Sequence, residues 1–119
     1  MPDDQVPVLN KQAALELCDD DEDLFLEIVQ AYLEDAMKHS KELLYALEAG
    51  DAHQVEERAH ALKGASSNIC AGPVCEAAQL LERVGRNDDL SQAPQLYKVF
   101  KTEFNRLLEH LKSLPLPSA

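Results

Sequence analysis

Apolar residues recur three and four positions apart along four long stretches of this chain and one short one, the spacing of amphipathic helices and not the strict alternation of strands. Asn10 can cap a short helix through Cys18, one too short to be stable alone. The acidic run Asp19 to Asp23 suits the positive end of a helix dipole, and a long helix is expected from about Asp20 to Ala49, ended by Gly50. Its inward stripe is Phe25, Val29, Tyr32, Ala36, Leu43 and Leu47, broadened by Leu26, Leu33, Met37 and Leu44. Asp51 can cap a third helix that runs to about Ala71. Gly72 then permits a turn, and Pro73 opens a fourth helix at its first position. That helix reaches Arg86, buries Val74, Ala77, Ala78, Leu81 and Val84, and carries Cys75, Gln79 and Glu82 along one polar edge. Asn87 to Leu90 form a turn, and Ser91 can cap a last helix that tolerates Pro94 in its first turn. Leu96, Val99, Phe100, Phe104, Leu107, Leu108 and Leu111 supply its core face.

Short connections between long helices make sequential neighbours antiparallel. The expected fold is therefore all-α, an up-down-up-down four-helix bundle with the short additional N-terminal helix laid across one end. Residues 1–9 read as a loose lead-in, 10–113 as the bundle and 114–119 as a tail holding Pro115 and Pro117. A length of 119 residues suits one domain with a single modest core and leaves no room for a separate ATP-binding module. The absence of tryptophan and the abundance of Ala, Leu, Glu and Asp agree with helix.

Charge removes several function classes. Twenty-two acidic against eleven basic side chains give a net charge of −11, which repels nucleic acid backbones and anionic membrane surfaces. Cys18, Cys70 and Cys75 are odd in number and lack Cys-x-x-Cys spacing, so neither a disulfide framework nor a thiolate metal site is expected. The opening Met1-Pro2-Asp3-Asp4 has no basic region followed by an apolar run, and no stretch approaches about 18 uninterrupted apolar residues, so neither export nor anchoring is expected and a cytoplasmic location is.

The chemistry concentrates on the third helix. His60, Lys63, Gly64 and Ser67 fall on one side of it, while Val55, Ala59, Leu62, Ser66 and Ile69 fall on the other. A neutral imidazole is a nucleophile toward phosphorus, and a lysine one turn away can neutralise incoming phosphoryl oxygens. Gly64 costs a helix interior roughly 0.5–1 kcal/mol relative to alanine, a penalty that close approach of a partner would explain. His39, His53 and His110 lack this company, and His53, two turns before His60, reads as a rim residue. Glu57-x-x-His60 is half of a bundle-type di-iron motif, but no second copy occurs and no metal site is expected.

The run His60-Ala61-Leu62-Lys63-Gly64 through Cys70-Ala71 resembles the signature of histidine-containing phosphotransfer domains of multistep two-component signalling. Leu24, Ile28 and Tyr32 echo that family's pattern on the preceding helix, and the likeness spans roughly residues 10 to 112. Cys70 departs from it, standing where the family most often has glycine, which would loosen or change a helix contact there.

The resemblance implies a phosphorelay intermediate and not an enzyme: His60 accepts a phosphoryl group from a receiver-domain aspartate and passes it to another, with Lys63 supplying charge and Gly64 steric access. It implies no cofactor of the chain's own, the magnesium ion belonging to the receiver. Partners would be the receiver domains of response regulators and of hybrid histidine kinases, with neither nucleic acid nor membrane, and the chain a monomer. In the family a polar side chain on the adjacent helix orients the imidazole, a role open here to Gln79 or Glu82, with Ser67 as a further supporting residue. Docking is expected to use an apolar patch drawn from Phe25, Ile28 and Val29, since eight of the ten residues from Leu24 to Leu33 are apolar, the alternative being that the short first helix covers them.

Overall fold

The computed structural model of the protein describes residues 7–117; the outermost parts of the expected lead-in and tail, residues 1–6 and 118–119, lie outside the described residues. Five helices follow one another: α1 (Lys11–Leu17), α2 (Glu22–Ala49), α3 (Ala52–Asn68), α4 (Gly72–Arg86) and α5 (Ala93–Lys112). There is no strand among the described residues. Helix α2 packs on α3, α3 on α4 and α4 on α5, and α5 returns to α2 to close the bundle. The short α1 sits at one end, where Lys11 pairs with Glu22 at the start of α2 and the Asn10 N–H donates to the Cys70 carbonyl in the α3–α4 turn at 2.9 Å.

Two of the caps, Asn10 and Asp51, are those the sequence predicts, and Asp21 is a third that it does not single out. Asn10, Asp21 and Asp51 each accept a hydrogen bond from the backbone N–H three residues on, the orphan donor that an N-cap carboxylate or amide satisfies. Gly50 ends α2 in the left-handed region at φ 68°, where a side chain would be strained.

Four local expectations are corrected. Helix α2 begins at Glu22 and not near Asp20, because Asp19 and Asp20 both take positive φ in the preceding turn and Asp21 is the cap. Helix α3 stops at Asn68 and not at Ala71; the reversal is made by Cys70 at φ 57°, while Gly72 is already the first residue of α4 and Pro73 the second. This also explains why glycine suits position 70, whose requirement is backbone conformation and not a helix contact. Ser91 does not cap α5. Its N–H and hydroxyl both donate to Asp89, and Gln92 stands at the cap without a side-chain bond.

The core joins Phe25, Val29, Leu43, Leu62, Ile69, Leu81, Phe100, Phe104, Leu107 and Leu111, all essentially without solvent contact. Phe100 and Phe104 stack at 5.2 Å between centroids. Val99 and Met37, both expected inside, are 52% and 45% exposed, since each lies at the edge of its helix's apolar arc. Leu33, Leu44, Leu47, Val84 and Leu96 are half-buried around the rim.

Candidate functional site

Helix α3 delivers His60 to the surface from a buried base. Val55, Ala59, Leu62 and Ser66 are fully buried on its inner face, which fixes the rotation of the helix and turns His60, Gly64 and Ser67 outward. The Ser66 and Tyr32 hydroxyls share a buried hydrogen bond of 2.9 Å, tying α3 to α2 behind the site. Burial pushes the Tyr32 phenol up to about 12 despite the Ser66 bond that opposes it.

The imidazole of His60 is 67% exposed, yet its Nδ1 lies 2.7 Å from Oε2 of Glu82, a carboxylate only 5% exposed. Glu82 is the centre of a small ionic network. Its Oε1 is 2.6 Å from Lys63 Nζ, and its Oε2 also accepts from Arg86 Nη2 at 2.9 Å. Arg86 in turn donates through Nε to Glu56 at 3.1 Å. Burial alone would raise the Glu82 carboxyl, but the hydrogen bonds and charges of Lys63 and His60 outweigh it and hold the group below the usual carboxylate range. Glu82 is therefore ionised at neutral pH and can only accept, so the contact requires the proton on Nδ1, and in the neutral ring the lone pair then lies on Nε2.

These contacts choose between the two residues expected to orient the ring: Glu82 holds it, while Gln79 is exposed. Lys63 is engaged with Glu82 and 29% exposed. Gly64 is exposed, and an added Cβ would meet nothing within 4 Å, so no internal contact demands glycine there. Ser67 is exposed a turn further on. The docking patch is corrected: Phe25 and Val29 are buried in the core, and Ile28 alone of the three remains half-exposed, because the inward arc of α2 falls on those two positions.

Arg86, Glu56 and Gly85 carry roles that the pattern of single helices did not point out. Arg86 follows Glu82 by one turn, an i,i+4 acid-base pair that could have drawn attention to it. His53, Glu56, Glu57, His60, Glu82 and Arg86 together line an open depression of about 340 Å³. No group of three or more His, Cys, Asp or Glu side chains among the described residues is arranged to hold a metal ion. No described helix is long and apolar enough to cross a membrane.

Residues 27–113 match the protein family described as Hpt domain. The phosphorelay intermediate protein rdeA of Dictyostelium discoideum is 29% identical over 85 residues, covering 71% of this chain and 34% of that protein, so the chain spans about a third of that relative's length. The crystal structure of histidine-containing phosphotransfer protein B (HptB) from Pseudomonas aeruginosa PAO1 is similar at a TM-score of 0.83 and 29% identity, covering 91% of this chain and 94% of that one.

Proposed function

Since the chain belongs to the Hpt domain family, whose members serve phosphotransfer in two-component phosphorelays, we propose that His60 is the residue that carries the phosphoryl group. The observation that supports this reading is the pairing of an exposed ring with a buried, ionised Glu82 on its Nδ1, which presents Nε2 to solvent as a nucleophile with a defined tautomer. The Nε2 lone pair forms the N–P bond as the O–P bond of an aspartyl phosphate breaks, and the electron pair returns to the aspartate carboxylate. The second transfer is the same exchange in reverse, to another aspartate. Lys63 turns from Glu82 toward the phosphoryl oxygens, and Gly64 admits the receiver surface.

In this reading the chain is a carrier and not an enzyme, and it works as a monomer. Magnesium belongs to the receiver, whose acidic cluster holds it. The partners are the receiver domains of response regulators and of hybrid histidine kinases. Three free thiols suit a reducing compartment, and we place the exchange in the cytoplasm.

The test is intact mass after incubation with a small-molecule phosphoramidate, comparing the wild type with His60→Gln. An acid-labile phosphoryl adduct on the wild type alone is expected. An adduct of equal yield on the variant, or none on the wild type with either the phosphoramidate or a phosphorylated receiver, overturns the assignment.

A further inference from the structure

The family reading assigns the ring's partner an orienting role, for which any hydrogen-bond acceptor would do. Here the acceptor is a charged carboxylate, and its burial gives the charge a second consequence. Glu82 is 5% exposed and is balanced by Lys63, by Arg86 and by the Nδ1 proton of His60. A phosphoryl group on Nε2 brings close to two negative charges and draws on the same two cations. A buried carboxylate that loses compensation is costly, so Glu82 then depends more heavily on the ring proton.

Resting on the phosphohistidine assignment above, we propose that Glu82 is the proton anchor of the phosphorylated state: its carboxylate keeps the proton on Nδ1 of the phosphohistidine. The consequence lies in the leaving group. When the N–P bond breaks, its electron pair goes to Nε2. With Nδ1 protonated the departing group is neutral imidazole; without that proton it is imidazolate, a far poorer leaving group. The incoming oxygen, from an aspartate carboxylate or from water, forms the new O–P bond. No proton need move to the ring during the step, because Nδ1, 2.7 Å from Glu82 Oε2, already carries it. Glu82 thus acts through His60 as a positioning residue that keeps the carrier in its donating form at neutral and mildly alkaline pH.

Other groups face the ring. His53, Glu56, Glu57 and Lys63 belong to α3, Glu82 and Arg86 to α4, and Tyr32 of α2 stands behind them through Ser66. All except Glu82 are common to the wild type and a Glu82 variant, so a ratio of their rates isolates it.

The experiment phosphorylates the full chain and Glu82→Gln with the phosphoramidate, removes the donor and follows hydrolysis by intact mass from pH 5 to 9. The amide can still accept from Nδ1–H but carries no charge. The wild-type rate is expected to hold to higher pH than the variant's, so that their ratio grows with pH to about 10-fold near pH 8. A ratio constant across pH overturns the proposal, because lost repulsion between carboxylate and phosphoryl group, or a loosened fold, would move both profiles in parallel. Imidazole nitrogen NMR of the phosphorylated wild type gives a second readout independent of how the variant folds. A protonated Nδ1 at pH 8 is expected, and a deprotonated one sinks the idea. Phosphohistidine with parallel profiles removes the proton anchor alone, whereas no phosphohistidine in the wild type removes the carrier reading and the anchor together.

Discussion

Gly64 stands one turn from His60 with open space where a Cβ would be, so its presence is a cost to α3 that nothing inside the bundle repays. Replacing it by alanine is expected to stabilise the fold by roughly 0.5–1 kcal/mol, the helix-interior difference between the two residues. The same methyl group would stand on the surface a receiver must approach. Gly64→Ala is therefore expected to accept phosphate from the small phosphoramidate at the wild-type rate while accepting it at least several-fold more slowly from a phosphorylated receiver. Thermal unfolding and the two labelling rates check this together, and equal slowing with both donors would place the role of Gly64 in the ring's own geometry instead. The tight grouping of His60, Lys63 and Gly64 was legible in the sequence because all three lie within five residues of one helix, where spacing alone decides which side chains share a face.

The relation between α3 and α4 is set by a different glycine. A Cβ on buried Gly85 would stand 2.6 Å from the Glu56 nitrogen and 2.8 Å from the Ala52 carbonyl oxygen, so the two backbones meet closely there. That contact lies between Glu82 and Arg86 and brings both within reach of His60 and Glu56. Gly85→Ala must push the helices apart, and a destabilisation of about 1–3 kcal/mol is expected from overpacking. The ring contact should loosen with it, which a shift in the His60 imidazole NMR signals would register; an unshifted spectrum and unchanged melting would show that α3 yields elsewhere. This interhelical level is where the sequence stopped being informative. Periodicity places Glu82 and Gln79 on the same edge of α4 but leaves the rotation and offset of α4 against α3 open, so it neither decides the ring's partner nor points to Arg86 and Glu56. The surplus of apolar residues on α2 misled for a related reason: which of them face outward depends on what α3 and α5 cover, and Phe25 and Val29 turn out to be covered. Loop ends failed more locally, since only Cys70, Asp19 and Asp20 in positive φ reveal where α3 stops and α2 starts.

Across the whole bundle, the two ionisable groups most tightly built into the interior titrate in opposite directions and bound the pH range of the fold. Glu82 is held below its ordinary range, so its contribution is present above the unfolded-state value near 4.5 and is lost as pH falls through the depressed folded value. Tyr32 behaves the other way. Its pKa is about 12 when folded against 10.0 when unfolded, so its contribution is complete below pH 10 and is lost as pH rises toward 12. By pH 12 that loss amounts to about 2 kcal/mol, since each unit of displacement is worth about 1.4 kcal/mol. Denaturant unfolding of the wild type, Glu82→Gln and Tyr32→Phe at a series of pH values separates the two. The Glu82 variant should lose part of the acid-side slope alone and the Tyr32 variant part of the alkaline slope alone. Because Tyr32 bonds the Ser66 hydroxyl on the inner face of α3 while Glu82 touches the ring itself, a Tyr32→Phe chain that keeps the wild-type pH profile of phosphohistidine hydrolysis would separate the support of α3 from the chemistry at its surface.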